Sequence, residues 1–245
     1  MTFLHEEIYK MNFTKTMIAL AIGSVGIMGA MSAHAASVGA GDTLSITAGV
    51  EAFDTNGNFT NVSSGSYFAM DTNGNLKIAG SEKVAISQGT TGLVIGTTTA
   101  AGASHAGAPT AGDTNAITAP WAFFGNTGSD YLTTAVTGST EAGLNFSGWT
   151  VTWNGIAAIP MGSGAWGAGY TNGVANFAWD GTDGGAYTLD YHGTVPLGDP
   201  SGFGGVAYAL HLEGTVAMVP EASTYGMMLA GLGLVGFAVR RRKLV

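Results

Sequence analysis

Two segments with strand-like alternation carry the residues best suited to acid–base or metal chemistry. In Tyr187–His192 the polar positions hold Asp190 and His192, and in Tyr208–Glu213 they hold His211 and Glu213. Residues two apart share a strand face. Pairing of the two segments would therefore gather two imidazoles and two carboxylates for proton transfer or ligation. The plainer reading is a solvated outer sheet face, because no nucleophile or pocket-forming pattern accompanies them. A second candidate is the pentapeptide Asp-Thr-Asn-Gly-Asn, which occurs at 54–58 and again at 71–75. Oxygen side chains at positions one, three and five suit a hard cation, and the second copy has an acidic residue at position twelve. Asp71, Asn73, Asn75 and Glu82 thus form a candidate Ca2+ set, the one cofactor that the sequence brings forward. Phe59 and Leu76 stand where an EF-hand loop needs glycine, and the first copy has Gly65 at position twelve. Both copies are read first as Asn-Gly turns.

Aromatic side chains are the third candidate. Trp121, Trp149, Trp153, Trp166, Trp179, Tyr187 and Tyr191 could offer flat faces to sugar rings. The in-phase pairs Trp149/Trp153 and Tyr187/Tyr191 read as core. Trp166, inside the glycine-rich run 161–169, is the candidate exposed ligand-binding platform. No nucleophile elbow, paired-carboxylate or HExxH spacing occurs, so no catalytic residue is assigned and the chain reads as non-enzymatic.

The elements that must position these groups read as strands. Leu44–Val50, Trp149–Trp153, Tyr187–His192 and Tyr208–Glu213 alternate apolar and polar residues, as half-buried antiparallel strands do. Asn-Gly at 56–57, 73–74, 154–155 and 172–173 and Asp-Gly at 180–181 supply residues that tolerate positive φ in tight turns. Val174–Trp179 and Ala186–His192 are expected to form a hairpin around 180–185. The predicted fold is all-β, an antiparallel β-sandwich of jelly-roll or immunoglobulin-like type. Residues 97–120 are too rich in small residues to bury surface and read as a loop or linker. They divide the body either into halves at 36–96 and 121–217 or, preferably, into one sandwich with an excursion.

The charge distribution narrows the partners. The chain has 245 residues, 40 of them glycine and none cysteine, so neither disulfides nor thiolate metal sites stabilise it. Between Ala36 and Val219 only Lys77 and Lys83 oppose 13 acidic residues, a net charge of −11. A body this acidic repels phosphate backbones, which excludes nucleic acid as a partner. The remaining basic residues, Lys10, Lys15, Arg240, Arg241, Arg242 and Lys243, lie at the two ends.

Those ends read as addresses. Lys15 precedes an apolar run from Met17 to Met31 that closes on Ala33-His34-Ala35, the layout of a secretory signal peptide over 1–35 cut before Ala36. Glu6 and Glu7 spoil a basic start, which points to Met11 as the true initiator. The exported body is then 36–218. The other end, 219–245, opens on Val219-Pro220-Glu221-Ala222-Ser223-Thr224. It continues without a charge from Ala222 to Val239 and closes on Arg240, Arg241, Arg242 and Lys243. As a helix, 222–239 reaches about 27 Å, close to the roughly 30 Å of a bilayer core. The basic stub 240–243 is then cytoplasmic. Gly231, Gly233 and Gly236 match the glycine pattern of a dinucleotide loop, but no βαβ unit surrounds them.

At these residues the tail resembles the PEP-CTERM sorting signal, with Ala222 where the second proline of the motif normally sits. The resemblance implies an exported protein of a Gram-negative bacterium that makes extracellular polysaccharide. It also implies an inner-membrane precursor whose tail is recognised and cut by an exosortase, a membrane-embedded cysteine transpeptidase. A single-span anchor is the simpler alternative. The expected destination is the cell surface or extracellular matrix, associated with exopolysaccharide and biofilm. A carbohydrate- or calcium-binding module, and behind it a hydrolase of matrix polymers, are the alternative readings.

Overall fold

The computed structural model describes residues 36–86, 92–98, 122–123, 126–153, 155–220 and 222–242. The chain divides into units 1–35 and 36–245. The first unit, with Ala33 and Ala35, lies outside the described residues, as do Trp121, Glu221, Lys243 and all of the loop 97–120 beyond residue 98.

The second unit contains sixteen described strands. The first seven are β1 (Ser37–Val38), β2 (Thr43–Leu44), β3 (Val50–Phe53), β4 (Phe59–Ser64), β5 (Tyr67–Met70), β6 (Lys83–Ala85) and β7 (Leu93–Val94). Then come β8 (Ala122–Phe123), β9 (Asn126–Leu132), β10 (Gly138–Ser139), β11 (Gly143–Asn145), β12 (Trp149–Trp153) and β13 (Ile156–Pro160). Finally come β14 (Val174–Trp179), β15 (Ala186–Thr194) and β16 (Ala207–Ala217), followed by helix α1 (Ala222–Arg242). Every described pairing is antiparallel, as the alternation predicts.

The main sheet runs β1-β10-β11-β14-β15-β16-β2-β7, with β5 and β6 attached beside β16. At 11 residues β16 is long enough for two partners on one edge: β5 pairs with Tyr208–His211 and β2 with Val216–Ala217. Strands from both sides of the 97–120 loop thus share one sheet. The expected hairpin is present, with Trp179 opposite Tyr187. β13-β12-β9-β8 form a second sheet, and β3-β4 a separate hairpin. The predicted strand Leu44–Val50 shortens to β2. Ser45 and Thr47 still donate N–H groups to Thr215 and Glu213 carbonyls, so the alternation survives with Leu44 and Ile46 buried.

Aromatic rings fill the core in place of disulfides. Trp149 of β12 is buried and meets Phe68, Tyr191 and Tyr208 of the main sheet edge-on, with centroids 5.8–6.3 Å apart. Such pairs add about 0.5–1.5 kcal/mol each beyond the area they bury. The buried hydroxyls are satisfied: Tyr187 donates to the Ser45 carbonyl at 2.7 Å, and Tyr191 and Tyr208 both donate to that of Met161. Burial pushes the Tyr191 phenol up to about 12 and that of Tyr208 well above its ordinary value. These tyrosines are structural donors.

Candidate functional site

The outer face of the main sheet gathers the polar residues singled out from sequence. In β15, Tyr187, Leu189 and Tyr191 point into the core, so Asp190 and His192 face outward; in β16, Leu210 and Leu212 point in, and His211 and Glu213 face out. Register then sets Asn176, Asp190, His211 and Tyr67 side by side across β14, β15, β16 and β5. His211 Nδ1 lies 2.6 Å from Asp190 Oδ1 and its Nε2 3.1 Å from Glu213 Oε1. The Tyr67 ring stacks on His211 at 5.0 Å, and Lys83 Nζ sits 4.1 Å from the centre of the Tyr67 ring.

The Asp190 contact raises the His211 pKa above its ordinary 6.5; burial opposes it and Glu213 adds to it. His192 takes a different course. It stacks between Trp166 at 4.2 Å and Tyr170 at 3.6 Å, and burial pulls its pKa down. Trp166 is therefore half-buried, with Nε1 donating to the Tyr208 carbonyl at 2.9 Å. Beside Asp190 lies an open groove of about 290 Å³, bordered by Glu141, Thr171, Asn176 and Thr188.

Chemically, this face can hold a proton and offer hydrogen bonds. Both ring nitrogens of His211 are engaged by carboxylates. Among the described residues no group of three or more His, Cys, Asp or Glu side chains could hold a metal ion. Strand adjacency, which brings His211 to Asp190, could be inferred from sequence only as a condition. Tyr67, Lys83 and Tyr170 went unnoticed, since only tertiary pairing sets them beside these groups.

The two identical pentapeptides fold differently. Asp54 closes the β3–β4 hairpin, its Oδ1 accepting the N–H groups of Asn56 and Asn58 at 2.8 and 2.9 Å. Asp71 is buried, its oxygens accepting the N–H groups of Gly74, Asn75 and Leu76. Glu82, also buried, accepts from Thr72 N, Thr72 Oγ1 and Asn73 Nδ2 on one oxygen and from Ala79 N on the other. Asn73 and Asn75 Oδ1 accept the N–H groups of Asn75 and Lys77. All four side chains of the candidate calcium set thus use their oxygens on donors of the loop itself.

Beyond β16 the chain enters the tail. Met218 N–H donates to Asp183 Oδ1 and Val219 N–H to Asp42 Oδ1, both at 2.8 Å, and α1 begins at Ala222. The predicted helix over 222–239 is present and runs on through Arg240 to Arg242. Its described side chains, from Tyr225 to Phe237, are exposed. Among the described residues no helix is long and apolar enough to cross a membrane, so the expected span is not shown by them. Gly226, Gly231, Gly233 and Gly236 thin out the apolar surface of this stretch.

Comparison with known proteins identifies the tail. A family model, the PEP-CTERM protein-sorting motif, matches residues 219–243. That signal implies an exported, membrane-anchored precursor that is processed by an exosortase. No curated protein and no solved structure matches the chain.

Proposed function

We propose that this chain is a non-enzymatic exported protein of the cell surface or extracellular polysaccharide matrix, held at the inner membrane by α1 until its tail is cut. The observation that carries this reading is the sorting motif at 219–243, which follows directly on the last strand of the β body. In this reading the uncharged part of α1, 222–239, about 27 Å long, anchors the precursor at the bilayer with Arg240–Lys243 on the cytoplasmic side. The body in front of it is a β-sandwich in which the β12 sheet backs the main sheet through Trp149. The test is a reporter fused to residues 219–245, expressed with and without the transpeptidase. The fusion is membrane-held without it and processed with it; identical behaviour in both strains removes the proposal.

A second reading, a carbohydrate-binding module, is favoured by the groove beside Asp190 and the polar and aromatic face around it. Asn176, Thr188 and Asp190 supply hydrogen-bonding groups at its wall, and neutral sugar hydroxyls match them without opposing the body's negative charge. Calorimetry of the processed protein with the host's own polysaccharide tests this reading, and flat titrations exclude it. A hydrolase using Asp190 and His192 is less favoured, because Asp190 pairs with His211 while His192 is stacked between two rings.

A further inference from the structure

The sorting signal does not begin on a free tail. β16 ends at Ala217, opposite Thr43 of β2. The next two N–H groups are each taken by a carboxylate, Met218 by Asp183 and Val219 by Asp42. Asp42 is 2% exposed; its second oxygen accepts the Gly39 N–H at 2.7 Å, and its carbonyl accepts that of Ile95 at 2.8 Å. Gly39 follows β1 and is the fourth residue after the expected signal-peptide cut. One buried carboxylate therefore joins the first turn of the exported body to the first residue of the sorting signal. Gly41 turns the chain beside Asp42 with φ +94°, a conformation that favours glycine.

Only Pro220 and Glu221 separate this clamp from α1. Two extended residues span at most about 7 Å. A peptidase that takes its substrate as an extended strand needs residues on both sides of the cut, and here the N-terminal flank is hydrogen-bonded into the fold. We propose that Asp42 and Asp183 are positioning residues that gate processing: the transpeptidase acts on the fraction of precursors in which Met218 and Val219 have been released. The cut breaks one peptide bond. The new amine leaves with the helix, and the acyl end passes to the peptidase thiol and then to water or to an acceptor amine or hydroxyl. The gate rests on the sorting reading and sets when the cut occurs. Cleavage of a transiently opened segment follows the population of the open form when closing is fast. Loss of one charge-assisted hydrogen bond raises that population by about tenfold.

The test is a pulse-chase of the full-length precursor in strains with and without the transpeptidase. Asp183 lies in an exposed loop, so Asp183→Ala is the deciding variant. Its precursor half-life shortens roughly three- to tenfold, and Asp183→Asn, which keeps the accepting oxygen without its charge, shortens it less. Asp42→Asn, which keeps one acceptor of two, also shortens it. An unchanged or longer half-life for Asp183→Ala overturns the gate, while wild-type processing without the transpeptidase overturns the sorting reading instead. Limited proteolysis of the uncut precursors separates local release from general loosening. New cleavage in Asp183→Ala confined to 214–221 supports the gate, and cleavage spread through the body overturns it.

Discussion

Replacing Glu82 by glutamine tests whether the loop at 71–82 is held by its own donors. Four hydrogen bonds between 2.7 and 3.0 Å converge on this carboxylate, three on one oxygen and one on the other. A glutamine can turn its carbonyl toward Thr72 and Asn73, but its amide then faces the Ala79 N–H, donor against donor. The three remaining bonds also lose the assistance of the charge. Glu82 is 5% exposed yet lies close to the surface, so the lower end of the range for such bonds applies, a loss of about 2 kcal/mol. For a domain of this size that is a fall of about 4–8 °C in Tm, read by differential scanning calorimetry of the processed protein. Burial pushes the Glu82 carboxyl up, but the bonds from Ala79 and Thr72 outweigh it and hold the pKa below the ordinary 4.5. Its contribution is therefore complete above pH 4.5 and fades as pH falls through the folded value, and the variant lacks that part of the acid sensitivity. A shift under about 1 °C refutes the reasoning. So does a wild-type Tm that rises with millimolar Ca2+, since only a cation that binds the folded state raises it.

Three further outcomes follow from the packing and the outer face. His211→Gln removes a group whose folded pKa is raised, so its stabilisation is full below 6.5 and is lost as pH rises through the folded value; the variant's Tm, scanned from pH 5 to 9, lacks that decline. Trp149→Ala empties the junction of the two sheets at a cost of about 3–5 kcal/mol, a large part of total stability, and the exported variant is degraded; wild-type levels on an immunoblot argue against this core. Gly214→Ala would put a Cβ 1.9 Å from the Ser45 carbonyl oxygen and lowers stability by about 1–3 kcal/mol, against an unchanged melting curve if the β16 edge is open.

How much of this was legible depends on the range of the interaction. The hairpin Val174–Trp179 with Ala186–Thr194 could be read locally, because alternation and the Asp180-Gly181 turn both lie within one short window. Trp149 and Tyr191 could be placed in the core by their phase alone. The site was legible only in part: Asp190 meets His211 because β15 and β16 pair over nine residues, a register no local pattern fixes. Trp166 was expected to stand exposed, yet a ring stack with His192, 26 positions along the chain, decides its place. The pentapeptide shows the limit most directly. Identical words give an exposed hairpin at Asp54 and a buried loop at Asp71, because only the second is followed by Glu82 at a distance that lets it fold back.

The acidic side chains have a structural use in the body. Asp54, Asp71, Asp180 and Asp199 each accept N–H groups from residues two to five positions ahead, which closes turns that the abundant glycine would otherwise leave loose. Glu82, through Thr72 N ten residues back, and Asp42 and Asp183, through Val219 and Met218 N, do the same across longer separations. Carboxylates thus take over part of the work that disulfides do in other exported domains, and unlike disulfides they titrate. Hydrogen bonds from Asn58 hold the Asp54 carboxyl below its usual value, and those from Thr182 do the same for Asp180. Each contributes stability above its unfolded pKa and loses it as pH falls through the folded one. Reduction leaves a chain without cysteine unchanged, whereas acid releases the turns that Asp54 and Asp180 close.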